Sequence, residues 1–121
     1  LVGKTVVAEA GSAGETTIQE DANLSQADYV SKSVQTDCLM EVAAGTADAA
    51  VLDLTLASAM IGEGTDYAGL KMVDELNVEE YGVAFRKDSD AAAAVDDAFD
   101  ALKADGTMQA LAEKYDLTLA D

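Results

Sequence analysis

The chain has no histidine, no proline and no tryptophan, a single cysteine, and seven basic residues against twenty-four acidic ones. Each scarcity removes a class of chemistry. Without histidine, Ser12 lacks the usual base that would make it a nucleophile, and Cys38 lacks its usual activating partner. Cys38 falls near the start of an expected helix but on the face expected to be buried, which fits a small core residue. One cysteine cannot form a disulfide within the chain, so cysteine usage gives no compartment. A zinc or other transition-metal centre is disfavoured by the same two deficits. Calcium would need an Asp-x-Asp-x-Asp-Gly type of loop, and neither Asp96-Asp97 nor Glu63-Gly64-Thr65-Asp66 provides it. No metal and no cofactor is therefore expected, and no catalytic residue. The absence of proline follows from no physical requirement visible in the sequence.

The shortage of basic residues gives a formal net charge of −17, which argues against general nucleic-acid binding and against adsorption to anionic lipid. No segment approaches the ~18 consecutive apolar residues of a membrane-spanning helix. Leu1-Val2-Gly3-Lys4 does not read as a signal peptide, so the expectation is a cytoplasmic protein or one whose targeting segment lies outside this chain.

What is present is enough for one compact domain: 121 residues, half of them apolar. The pattern alternates short apolar runs with amphipathic ones. Strands are expected at Thr5 to Ala8, Tyr29 to Val34 and Ala49 to Leu52, followed by a short run at Leu70 to Val73 and a clear late strand at Tyr81 to Phe85. Helices are expected from Glu15 to Asn23 after a Gly11 to Gly14 turn, from Asp37 to Ala44 behind a Thr36 cap, and from Leu54 to Ile61. Two more should run from Asp90 to Ala104 behind Ser89 and from Met108 to Tyr115 behind Thr107. This alternation predicts an α/β fold, three-layer αβα, with a mainly parallel sheet.

Two loops then attract notice. Ala8-Glu9-Ala10-Gly11-Ser12-Ala13-Gly14-Glu15 is a glycine loop opening a helix, a place that usually receives an anion. It lacks the lysine of a P-loop and the glycine spacing of a dinucleotide fingerprint, and Glu9 and Glu15 would repel a phosphate dianion. A singly charged carboxylate suits it better. Asp53 leaves another strand at the same end of a parallel sheet, where it could fix an ammonium. Together they suggest a site for a zwitterion. The plainer alternative is that Asp53 only caps the next helix and Gly11 and Gly14 are ordinary turn residues.

These stretches resemble the amino-acid-binding solute-binding proteins of ABC importers, the periplasmic binding protein type II family. The similarity runs in order through Gly3-Lys4-Thr5-Val6-Val7 with Gly11-Ser12-Ala13-Gly14-Glu15, Ala43 to Asp53, Glu80 to Lys87, Ala101 to Thr107, and Ala112-Glu113-Lys114-Tyr115. The resemblance implies that residues 1–80 form the second ligand-binding lobe. Residues 81–121 would then be a hinge strand and C-terminal helices returning to a first lobe absent from this chain. It further implies Ser12 and the Ala13 amide on a ligand carboxylate, with Gly11 in the loop, Asp53 on the α-ammonium, and Glu9 facing the ligand side chain. Tyr81 and Gly82 would lie at the hinge. An amino acid and an ABC permease are the implied partners, and the implied location is extracytoplasmic, in a periplasm or lipid-anchored at a cell surface. A cyclohexadienyl-dehydratase-like enzyme of the same fold and a domain-swapped homodimer are the alternatives.

Overall fold

A computed structural model describes residues 1–120. The chain divides into two compact units, one spanning Leu1–Val78 and one from Glu79 onward.

The first unit is built on a three-stranded parallel sheet. Strand β1 (Thr5–Glu9) is central, β2 (Asp28–Lys32) lies on one side of it and β3 (Ala49–Ala50) on the other. Thr5 is in register with Asp28 and Glu9 with Lys32, while Val6 and Val7 face Ala49 and Ala50. Side chains alternate across a strand, so β1 divides its apolar residues between two faces. Val6 and Ala8 pack with Ile18 and Leu24 on one face, joined by Tyr29, Ala49 and Val51. Val7 packs with Cys38 and Ala47 on the other, joined by Val42, Ala50 and Leu52. Ile18 belongs to helix α1 (Ala13–Glu20) and Cys38 to helix α2 (Gln35–Ala44), so the two helices cover opposite faces in an αβα arrangement. Ile18, Leu39, Val6, Val7 and Cys38 are essentially inaccessible to water. Burying each larger aliphatic contributes about 1.5–3 kcal/mol, which makes this narrow core the main support of the sheet.

Helix ends account for most differences from expectation. Helix α1 starts two residues earlier than its glycine loop suggests, because Ser12 caps it by accepting the Glu15 N–H. It stops at Glu20, where the Asp21 carboxylate takes the N–H groups of Asn23 and Leu24 and starts a 3₁₀ turn at Leu24–Gln26. Those backbone bonds, Leu24 first, hold the Asp21 carboxyl below its ordinary value. Helix α2 begins at Gln35, with Val34 at its cap and no side-chain bond there, so Thr36 lies inside the first turn. Gly45 closes α2 at φ 76, a left-handed conformation that glycine adopts without steric cost. Helix α3 (Leu54–Met60) is capped by Asp53, whose carboxylate accepts the Thr55 N–H at 3.0 Å.

The largest departure lies beyond α3. Leu70 to Val73 and Tyr81 to Phe85 form no strand, and among the described residues the sheet ends at β3. An alternating apolar pattern marks a surface suited to a sheet, but a ladder also needs a neighbour with exposed N–H and C=O groups. Val73, Tyr81 and Val83 are instead well exposed. Strand β3 is also shorter than the run that predicts it, though Val51 N–H still bonds to the Val7 carbonyl and Val51 and Leu52 continue the alternation between faces.

The second unit contains helices α4 (Ala91–Ala104) and α5 (Thr107–Lys114). Asp90 stands at the cap of α4, while Ser89 accepts the Ala91 N–H. Gly106, at φ 83, is the cap of α5, so Thr107 is the first helical residue rather than the cap, and the Asp105 carboxylate takes its N–H.

Candidate functional site

The strand order β2-β1-β3 fixes where the chain reverses its winding. From β1 it proceeds through α1 to one neighbour, then through α2 back past β1 to the other. In such sheets the crevice lies outside the carboxyl ends of the two strands at the reversal, here β1 and β3. Glu9 is the last residue of β1, Gly11 and Ser12 lie in the loop after it, Ala13 begins α1, and the segment after β3 carries Asp53. All five residues thus lie in or border the two connections that open at that switch point.

Close backbone packing links these connections. A Cβ added to Gly14 would lie 2.9 Å from the Val51 carbonyl oxygen and 3.4 Å from Ser12 Oγ. Gly14 therefore allows the first turn of α1 to rest against the backbone leading to Asp53. Gly11, at φ 73, turns the chain sharply after β1.

Much of the polar capacity of the first loop is used internally. Ser12 donates its hydroxyl proton to the Glu9 carbonyl at 2.7 Å and accepts the Glu15 N–H at 3.2 Å. Glu15 folds back so that one carboxylate oxygen accepts the Gly11 N–H at 2.6 Å while the other accepts the Tyr29 phenol at 3.0 Å. This is a variant of the capping box, displaced by one residue because the returned carboxylate meets the amide before the cap. Partial burial, followed by the Glu15 carboxylate, pushes the Tyr29 phenol up to about 12.

Asp53 is also tied to its surroundings. Its N–H donates to the Gln35 amide oxygen at 2.9 Å, joining the starts of α2 and α3, and one carboxylate oxygen accepts the Thr55 N–H. The helix-cap role considered for Asp53 is thus present.

Glu9 ends β1 on the face shared with Val7, opposite Lys32 in register. Lys32 pairs with Glu41 of α2, and Glu41 also accepts the Thr46 hydroxyl. These bonds, Lys32 first, hold the Glu41 carboxyl below its ordinary value. Glu9 accordingly shares a register position with a lysine whose ammonium is paired with Glu41. Cys38 lies beneath them, fully buried, with its thiol pushed up by burial and by Asp37, so it stays protonated near neutrality and takes no part in a polar site.

An open hollow of about 270 Å³ adjoins the start of α3, lined by Leu54, Met72, Val73, Asp74 and Glu75. Sequence reasoning did not anticipate the contributions of Glu15, Tyr29, Gln35 and Lys32. The Ser12-x-x-Glu15 spacing signals the capping box. Nothing local signals the other three, because their partners lie 14, 18 and 9 residues away. Among the described residues no helix is long and apolar enough to cross a membrane. Compared with known proteins, the chain matches no family model, no curated protein and no solved structure.

Proposed function

We propose that the chain is a ligand-binding lobe of an extracytoplasmic solute-binding protein of the periplasmic binding protein type II kind. Its ligand would be a zwitterionic amino acid, delivered to an ABC permease. The observation that carries this reading is the convergence of the α1 N-terminus and Asp53 at the β1/β3 switch point, held together by the close approach of Gly14 to Val51. The amides of Ala13 and Gly14 at the helix start suit a ligand carboxylate, and Asp53 suits its ammonium. Ser12 positions that turn through its two internal bonds rather than reaching the ligand first. Glu15 already occupies the Gly11 amide, so a ligand carboxylate is directed to the next amides along the helix start.

The second unit supports the need for another lobe. Among its described residues Ala112 alone is buried, while Phe99, Leu111, Tyr115 and Leu117 remain substantially exposed. Helices with so little buried area gain too little to offset their ordering entropy, and a covering surface would supply the deficit. Binding by the chain alone should therefore be weak. The test is a titration of the ¹⁵N-labelled chain with glutamine, glutamate and arginine, followed by amide shifts. Saturable shifts centred on Ala13, Gly14 and Asp53, with dissociation constants near about 1 mM, are expected for a half-site. Unchanged shifts at those amides would overturn the proposal, and sub-micromolar affinity in a monomer would overturn its two-lobe form.

A further inference from the structure

The free edge of the sheet carries an inference independent of the ligand reading. Strand β2 is terminal in the order β2-β1-β3, so within the first unit it has a paired side and an open side. Backbone bonding shows which groups face which way. Asp28 N–H donates to the Lys4 carbonyl, and the Lys32 carbonyl accepts the Ala10 N–H. In a strand the N–H and C=O of one residue point to the same side and alternate along the chain. Asp28, Val30 and Lys32 therefore bond toward β1, and Tyr29 and Ser31 present their backbone groups to the open edge.

An antiparallel partner must pair those outward groups with its own. Among the registers that do so between two copies of β2, the one centred on Val30 places Tyr29 opposite Ser31 of the partner subunit. Each pair exchanges two backbone hydrogen bonds, four in all by two-fold symmetry. Val30 then faces its counterpart, and Asp28 faces Lys32 of the partner subunit, both in non-hydrogen-bonded positions where side chains come closest. The sequence Asp28-Tyr29-Val30-Ser31-Lys32 is thus complementary in charge to its own reverse. Val30 is 42% exposed, an apolar residue at the centre of this edge. Lys32 keeps its bond to Glu41 and, with three donors, can serve Asp28 of the partner subunit as well. It also lines an open hollow with Met40 and Ala44, so its own chain does not enclose it.

We propose that β2 is a self-pairing edge, through which two copies of this chain join antiparallel about a two-fold axis at Val30 and merge their three-stranded sheets into one. A second copy is the occupant because the strand matches itself in backbone phase and in charge at one register. An arbitrary acidic or basic partner would satisfy only one end. The net charge of −17 opposes association at long range, so the dimer should be modest in affinity and favoured by moderate salt.

The test is sedimentation velocity on the full chain at concentrations up to about 500 µM, where weak self-association becomes visible. A monomer–dimer equilibrium is expected. Ser31→Pro removes one outward N–H and no bond to β1, so it should leave a folded monomer, with circular dichroism and thermal melting verifying the fold. If that variant does not fold, charge reversal provides a second route. Asp28→Lys in one chain, and Lys32→Glu with Glu41→Lys in another, should each weaken self-association by about tenfold. Mixing these two chains should restore pairing, since every opposed pair is then of opposite sign. A wild-type chain that stays monomeric throughout would overturn the proposal. So would a dimer indifferent to both kinds of variant, or mixed chains that fail to associate.

Discussion

Removing the Tyr29 phenol tests whether Glu15 is the resident carboxylate of the first loop. The phenol donates to one Glu15 oxygen at 3.0 Å while the other takes the Gly11 N–H at 2.6 Å. Burial, and then Glu15, raise the phenol from 10.0 to about 12. The folded state therefore binds the phenolic proton more tightly than the unfolded chain does. Its contribution to stability is complete below pH 10.0 and is lost as pH rises through about 12. The full shift would correspond to at most about 3 kcal/mol, and the partial exposure of the ring reduces the expected contribution to about 1 kcal/mol. Ultraviolet titration of the four tyrosines should show one ionising late, and Tyr29→Phe should abolish that component. Glu15→Gln should lower it, because the charge that opposes phenolate formation is gone. In urea unfolding at neutral pH, Tyr29→Phe and Glu15→Gln should each cost about 1 kcal/mol, and the double variant less than their sum. Full additivity, or a late component unmoved by Glu15→Gln, would refute the idea that the carboxylate is held between phenol and amide.

Three further outcomes follow from the packing. Gly14→Ala should destabilise by about 1–2 kcal/mol in urea unfolding despite alanine's better helix propensity, because the added methyl meets the Val51 carbonyl; a stabilised variant would show that α1 and the backbone after β3 are not in tight contact. Leu39→Ala, at a residue 1% exposed, should cost about 2–4 kcal/mol by the same measurement. The Asp48 carboxyl is held low by the Thr5 N–H and then by Lys4, and Glu41 by Lys32, so their stabilisation is present above the ordinary carboxylate values and lost as pH falls through the lowered ones. Relief of the −17 net charge acts in the opposite direction at milder acidity, so unfolding against pH should show maximal stability near about pH 5.

The parts of this fold that could be read in the sequence are those whose cause is local. The Thr5-Val6-Val7-Ala8 run, the amphipathic faces of α1 and α2, the Gly45 stop and the Asp53 cap each depend on residues within one turn or one strand. The parallel sheet followed from their alternation. Tyr81 to Phe85 has the local pattern of a strand but forms none among the described residues, because a ladder depends on a neighbouring strand supplied by the rest of the chain. The site divides in the same way. Glu9, Gly11, Ser12, Ala13 and Asp53 lie in or border the two connections at the switch point because strand direction carries them there. That Ser12 serves the cap, that Glu15 fills the Gly11 amide from above Tyr29, and that Lys32 is in register with Glu9 depend on packing between α1, β1 and β2.

These internal bonds bear on what the crevice can accept. A ligand carrying only negative charge would approach Glu9, Glu15 and Asp53 within a chain of net charge −17. At about 4 Å one like-charged contact costs about 1 kcal/mol in water and about 4 kcal/mol near a protein surface. Two open amides at a helix start, worth at most about 2 kcal/mol with the helix dipole, do not offset several such contacts. A ligand that brings its own cation reverses the sign of one of them, since Asp53 then attracts what it would otherwise repel. On the proposed reading, the acidity of the chain and the glycine loop together favour a guest of mixed charge. On the proposed reading, Asp53→Asn should therefore weaken a zwitterion more than it weakens a simple carboxylate such as acetate, and an equal loss for both would separate Asp53 from ligand binding.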